Sequence, residues 1–140
     1  MTVIDQEELV AREWYQELWD NWNLDVADTL FTEDYRLHLS GIRAPLDKAS
    51  AKQVVGMFSK SFPDLKHTVD EMVSDGTTVG ARWTVRGTHK GEFQGIPATG
   101  KAVSLSGTTF HHMRGAQIAE TWLTMDTMEL LQQLGAVPGR

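Results

Sequence analysis

The chain has 140 residues, 41% hydrophobic and 23% charged, with a net charge of −6 and no cysteine. That length suits one domain around one core, and the missing cysteines exclude a disulfide framework and a thiol nucleophile. With Lys and Arg scattered along an acidic chain there is no positive field to neutralise phosphates, so no nucleic-acid partner is expected. No apolar run approaches the ~20 residues of a bilayer span, so no membrane partner is expected either. The start Met1-Thr-Val-Ile-Asp-Gln-Glu-Glu8 lacks a basic, then apolar, leader, so a cytoplasmic chain is expected.

From Gln6 to Asn21, apolar residues recur at three- and four-residue spacing, from Val10 through Trp14, Tyr15, Leu18 and Trp19 to Trp22. This is the stripe of one helix. Asn23 is placed to cap a short second helix over Leu24 to Phe31, and Asp34 to Leu39 reads as a short extended segment. Gly41 to Pro45 forms a loop. Asp47 can cap a third helix whose Val54, Phe58 and Phe62 share a face, and Pro63 stops it.

Beyond Pro63 the period changes to two. Lys66 to Ser74, Thr77 to Thr88, Lys101 to Met113 and Gln117 to Met125 read as strands. Asp75-Gly76 and Arg114-Gly115-Ala116-Gln117 supply hairpin turns, so most strands are antiparallel neighbours. Gly91, Gly95, Pro97 and Gly100 mark a longer loop, and Thr127 to Leu134 forms a final helix ended by Gly135. Helices first and a meander afterwards predict an α+β fold of one domain over residues 1–140. Both faces of the strand Thr77 to Thr88 carry apolar residues, which predicts helices on one face of the sheet and a second copy of the chain on the other.

Several common chemistries find no support in the spacing. Gly95-Ile-Pro-Ala-Thr-Gly100-Lys101 fits a phosphate loop until Ala102 stands where a Ser or Thr must ligate magnesium, and Pro97 lacks an amide. His111 and His112 are adjacent on a strand and point to opposite faces, so they cannot share a metal; His38, His67 and His89 come from separate segments, and no metal site is expected. Asp126, three residues before Glu129, reads as the cap of the last helix, and Glu120 with Trp122 as an interface pair. The rings Trp14, Tyr15, Trp19 and Trp22, facing Met57, Phe58 and Phe62, exceed what a narrow core seam needs. They suit the wall of an apolar pocket as well as plain core packing.

Three stretches resemble the SnoaL-like polyketide cyclases, within the superfamily named after nuclear transport factor two. They are Phe31-Thr-Glu-Asp-Tyr35 with His38; Gly87-Thr-His-Lys-Gly-Glu-Phe-Gln-Gly-Ile-Pro-Ala-Thr-Gly100; and Gln117-Ile-Ala-Glu-Thr-Trp122 running into Leu130-Leu-Gln-Gln-Leu-Gly135. The resemblance spans nearly the whole chain. It implies a conical barrel of N-terminal helices packed on a curved, mainly antiparallel sheet with a short C-terminal helix. It also implies a pocket between helices and sheet that works without metal or organic cofactor. In such cyclases an aspartate one residue after the Trp122 position acts as general acid and base for an intramolecular aldol closure, and a histidine accompanies it on the preceding strand. Here those positions hold Leu123 and Thr109.

Leucine cannot move a proton, so another group must act. A three-residue hairpin loop would pair 109 with 123 and 111 with 121, placing His111 beside Thr109 on the pocket face. This makes His111 the first catalytic candidate, its ordinary pKa suiting proton transfer, although a lone strand histidine also serves as a satisfied interior polar group. His38, at the pocket mouth by the resemblance, and Arg82, which could steady an oxyanion or pair with Asp70 or Glu71, follow. Candidate substrate-binding residues are Tyr15, Trp19, Val54, Met57, Phe58, Thr109, Thr121 and Leu123. The expected function is a cofactor-independent enzyme on a hydrophobic, aromatic, polyketide-like small molecule. A hydroxylase-like member of the same family and a non-catalytic carrier of an apolar metabolite are the alternatives.

Overall fold

The computed structural model describes residues 6–136, so the first five residues of the start read above lie outside it. Helix α1 (Gln6–Glu13) runs directly into a π-helical segment, Trp14–Asp20, which ends with the Asn21 amide donating to the Gln16 carbonyl at 2.9 Å. The wider π coil is a known device for re-aiming side chains. Here Trp14, Tyr15, Leu18 and Trp19 are all buried. Trp22 turns the chain with φ +56, and its indole donates to the Pro63 carbonyl at 3.0 Å.

The second helix differs from expectation. Asn23 makes no side-chain cap; a 3₁₀ turn (Leu24–Val26) leads into the one-turn α2 (Ala27–Leu30), and strand β1 (Phe31–Leu39) starts three residues early. Tertiary pairing overrides local propensity here, because Phe31 is already in register with Ile118 of the last strand. Helix α3 (Lys48–Ser61) is capped as predicted: the Ser50 amide donates to Asp47 Oδ1 at 2.8 Å, a contact of about 1 kcal/mol.

Strands β2 (Lys66–Ser74), β3 (Thr78–Thr88), β4 (Ala102–Arg114) and β5 (Gln117–Met125) follow, then α4 (Thr127–Gln133). The sheet order is β1-β5-β4-β3-β2, with β1 parallel to β5 and every other pair antiparallel. Irregularities in the β1, β2 and β5 pairings break the ladder, features that bend and twist strands. The helices cover one face. Asp126 caps α4 by accepting from the Glu129 amide at 3.0 Å, and Gln133 clamps α4 to β4 through both backbone groups of Ser104.

The β4–β5 register is the expected one, with Thr109 opposite Leu123 and His111 opposite Thr121, but the turn differs. A two-residue turn, Gly115-Ala116, joins Arg114 to Gln117, and an extra residue in β5 between Ile118 and Glu120 restores the frame. Gly115 takes φ +64, as such a turn requires. The long 89–101 loop folds back on α3: the Lys90 and Gly91 amides donate to the Ser61 carbonyl, and Ser61 Oγ donates to the Glu92 carbonyl. That arm carries Phe93 into the core beside Phe58 and Phe62.

Under the aromatic stripe lies a sealed polar knot. Tyr15 and Thr109 share a hydrogen bond, His111 Nδ1 and Thr121 Oγ1 share another at 2.9 Å, and the Trp14 indole stands edge-on to His111 at 5.0 Å. Thr109, His111 and Thr121 have no solvent exposure. Burial raises the Tyr15 and Tyr35 phenols well above their ordinary range and pushes the His111 imidazole from 6.5 down to about 3.

Two outcomes test this packing. A Cβ at Gly91 would stand 2.1 Å from the Lys60 carbonyl oxygen, so Gly91→Ala should lift the loop from α3 and lower urea-unfolding stability by roughly 1–3 kcal/mol. Below pH 6.5 the unfolded chain binds a proton at His111 that the folded chain refuses, so stability falls with pH through the window from 6.5 towards 3. Denaturation between pH 7 and 5 should show a loss of about 2 kcal/mol from this group, absent in His111→Asn; equal slopes in both proteins would refute it.

Candidate functional site

An internal cavity of about 30 Å³ lies between the π-helical segment, α3, α4 and the inner face of the sheet. Its walls are almost wholly apolar and include the rings of Trp14, Trp19, Phe58 and Trp83. A second hollow of about 230 Å³, lined by Leu39, Ile42, Val54, Met57 and Thr127 among others, forms a mouth. Phe58, Met125 and Leu130 line both and so form the partition between them. The inner void holds a water or two, well short of the roughly 300 Å³ that drug-sized ligands occupy, so admitting such a ligand requires the partition to move.

The predicted residues separate into three groups. Trp19, Phe58 and Leu123 line the cavity, and Val54 and Met57 line the mouth. Tyr15, Thr109, Thr121 and His111 are brought together, but in the knot rather than on the cavity wall; Trp14 and Tyr15 pack over His111. The third group stands on the opposite face of the sheet. His38, expected at the mouth, alternates with the inward Leu37 and stacks on Trp122 at 4.7 Å, its Nε2 meeting Glu120 Oε2 at 2.5 Å. Arg82 alternates with Ala81 and Trp83 and donates through Nε to Glu71 at 3.0 Å, both side chains largely exposed. Strand alternation sends each of them outward, so neither converges with His111.

A pair that the sequence did not single out lies on the cavity wall. Asp20, the last residue of the π-helical segment, accepts from the His67 backbone amide at 3.0 Å, and its Oδ1 is 2.9 Å from His67 Nδ1. The carboxylate only accepts, so Nδ1 carries a proton, and in the neutral ring the lone pair sits on Nε2. The His67 ring lines the cavity, edge-on to Trp83 at 5.1 Å and to Trp19 at 6.0 Å, with Tyr15 at 5.8 Å. The side chains of His67 and Asp20 are 5% and 13% exposed. Trp83 owes its placement to Gly107, since a Cβ there would fall 2.3 Å from the indole.

The indole nitrogens of Trp19 and Trp83 are both buried with no hydrogen-bond partner among the described residues, and both rings line this cavity. An unpaired buried N–H costs about 1–3 kcal/mol, so two of them on one small cavity call for an acceptor. Alternation in β2 could have marked His67 as inward, in phase with Val69. Nothing in sequence spacing joins it to Asp20, 47 positions away. Among the described residues no cluster of three His, Cys, Asp or Glu side chains could hold a metal ion, and no helix is long and apolar enough to cross a membrane.

The family model of the SnoaL-like polyketide cyclases matches residues 9–134. No curated protein matches the chain. Among solved structures, IdmH from Streptomyces antibioticus, a candidate polyketide cyclase, is 30% identical with a TM-score of 0.82, covering 93% of this chain and 99% of its own. A candidate polyketide cyclase from Acidithiobacillus ferrooxidans is 26% identical with a TM-score of 0.85 over 99% and 100% of the two chains. AclR from Streptomyces galilaeus, a candidate hydroxylase, is 24% identical with a TM-score of 0.86 over 96% and 84%. With its helices over one face of a five-stranded mixed sheet and a match across nearly its whole length, the chain belongs to the SnoaL-like polyketide cyclase family.

Proposed function

We propose that the protein is a cofactor-independent enzyme acting on a hydrophobic, aromatic, polyketide-like small molecule held between the helices and the sheet. The observation that carries this reading is the ring-walled apolar cavity and its separate mouth, divided by the side chains of Phe58, Met125 and Leu130. A flat polycyclic ligand would bury its faces against Trp14, Trp19 and Trp83, and each fully buried ring is worth a few kcal/mol of transfer free energy, of order 25 cal/mol per Å². The family membership supports the substrate class, and the name of IdmH supports cyclase-type chemistry.

A hydroxylase-like activity is the second reading. It is favoured by Leu123, which removes the aspartate that cyclases of this kind use at that position, and by the fold shared with AclR. A substrate ring would then supply electrons to molecular oxygen.

A hydroxyanthraquinone should quench the buried tryptophans on binding. Val54→Arg, which puts a charge at the apolar mouth, should weaken that binding by about tenfold, roughly 1.4 kcal/mol. Mass spectrometry of an aromatic polyketide ester incubated with the protein and no added cofactor should then show either an isomeric cyclised product or an oxygen gain. Binding with no product would establish a carrier instead of an enzyme, and absence of binding would overturn the substrate class.

A further inference from the structure

We infer that His67, held by Asp20, is the group that moves the proton in the cavity, and that the Trp19 and Trp83 indoles bind the carbonyl oxygen of an enolisable aromatic ketone. The inference rests on the cavity being the ligand site, as proposed above, and adds which wall reacts and what the substrate must contain.

Four observations converge on it. Of the thirteen side chains lining the cavity, only His67 carries an acid-base group. Thr109 and His111 belong to the knot, where burial holds the His111 imidazole neutral, and Leu123 is inert. The Asp20 carboxylate fixes the His67 ring and its tautomer, with Nδ1–H donating and Nε2 basic, the arrangement by which a carboxylate orients a histidine base. The buried indoles of Trp19 and Trp83 stand beside that ring, and neither N–H has an acceptor among the described residues, so an oxygen developing negative charge within reach of them would supply one.

The step balances without an oxidant or a metal. Nε2 takes a proton from the carbon next to the ketone. The C–H bond breaks, an N–H bond forms, and the C–H electron pair becomes the enolate C=C bond. The carbonyl π pair moves onto oxygen, to which the indoles donate. In a ring closure the enolate carbon attacks a second carbonyl of the same molecule, forming one C–C bond, and the resulting alkoxide recovers the proton from Nε2. Asp20 is a positioning residue and His67 the catalytic one.

The probes are 2-tetralone, an enolisable aromatic ketone, and tetralin, its hydrocarbon counterpart. In D₂O the wild-type protein should accelerate hydrogen–deuterium exchange at C1 of 2-tetralone by about 100-fold over buffer, read by NMR. His67→Gln should return exchange to the buffer rate while both probes still quench tryptophan fluorescence. Asp20→Asn, whose amide donates to Nδ1 and drives the proton to Nε2, should cut exchange at saturating ketone with KM unchanged, and Asp20→Glu should restore part of it. Trp19→Phe and Trp83→Phe should each weaken 2-tetralone by about fivefold and leave tetralin unaffected.

Undiminished exchange in His67→Gln, or equal affinity for ketone and hydrocarbon in the wild type, would overturn the inference and leave the ligand site standing. Failure of both probes to bind would remove the site itself. Should a variant not fold, long-range proton–nitrogen NMR of wild-type His67 still decides the tautomer: a protonated Nε2 with bare Nδ1 sinks the assignment.

Discussion

One carboxylate ties the aromatic helix to the sheet. Asp20 accepts from both the backbone amide and the ring of His67, so the end of the π-helical segment is fastened to the first residues of β2. Both partners are buried enough for that bond to act in a lower effective dielectric than water. With that point fixed, Trp19, one residue earlier in the helix, must face Phe58 and His67, and Trp22 must reach the Pro63 carbonyl at the foot of α3. The π coil serves the same end, since it brings four consecutive-turn residues, Trp14, Tyr15, Leu18 and Trp19, inward together. Loosening this bond would free the rings that roof the cavity and the histidine that lines it at one stroke.

The same architecture explains why the cavity is small without being filled. Rings pack at fixed shapes and leave residual space that flexible side chains would fill. Here that space is divided between an inner void and a neighbouring hollow by Phe58, Met125 and Leu130, which stand on α3, the end of β5 and α4. Met125 is unbranched and adaptable, the kind of residue that yields to a ligand. Helix α4, which carries Leu130, is held at both ends, by its Asp126 cap and by its Gln133 clamp to Ser104.

Much of this was legible from periodicity. The switch from three-and-four spacing to alternation after Pro63 placed all four later strands to within a residue or so, and Asp47 and Asp126 announced their helices by cap spacing alone. The errors occurred where long-range pairing outweighed local signals. Asn23 has a good capping side chain but no cap to make, and β1 begins at Phe31 because β5 offers it a parallel edge. Register inference put Thr109 opposite Leu123 correctly although the turn that produces it is shorter and compensated by an extra residue in β5. For the site, alternation decided which side of the sheet each residue faces, and this sends His38 and Arg82 outward. The Asp20–His67 contact was illegible because a helix end and a strand start 47 residues apart meet only through the tertiary fold.

Position 123 explains why the polar wall matters. With Leu123 opposite Thr109 and with Leu105 and Val103 farther along β4, the β4–β5 side of the cavity is apolar where it meets the void. The polar groups under it are buried behind that surface: Tyr15 is paired with Thr109, and His111 with Thr121 through Nδ1, while its Nε2 has no partner among the described residues. A ligand oxygen set against that side would lose its water and gain nothing, at a cost of about 1–3 kcal/mol. On the side of Trp19, His67 and Trp83 stand two indoles whose N–H groups have no partner among the described residues to give up. Leucine at position 123 therefore makes one side of the cavity suited to hydrocarbon and leaves the opposite side as the place where polarity can be recognised.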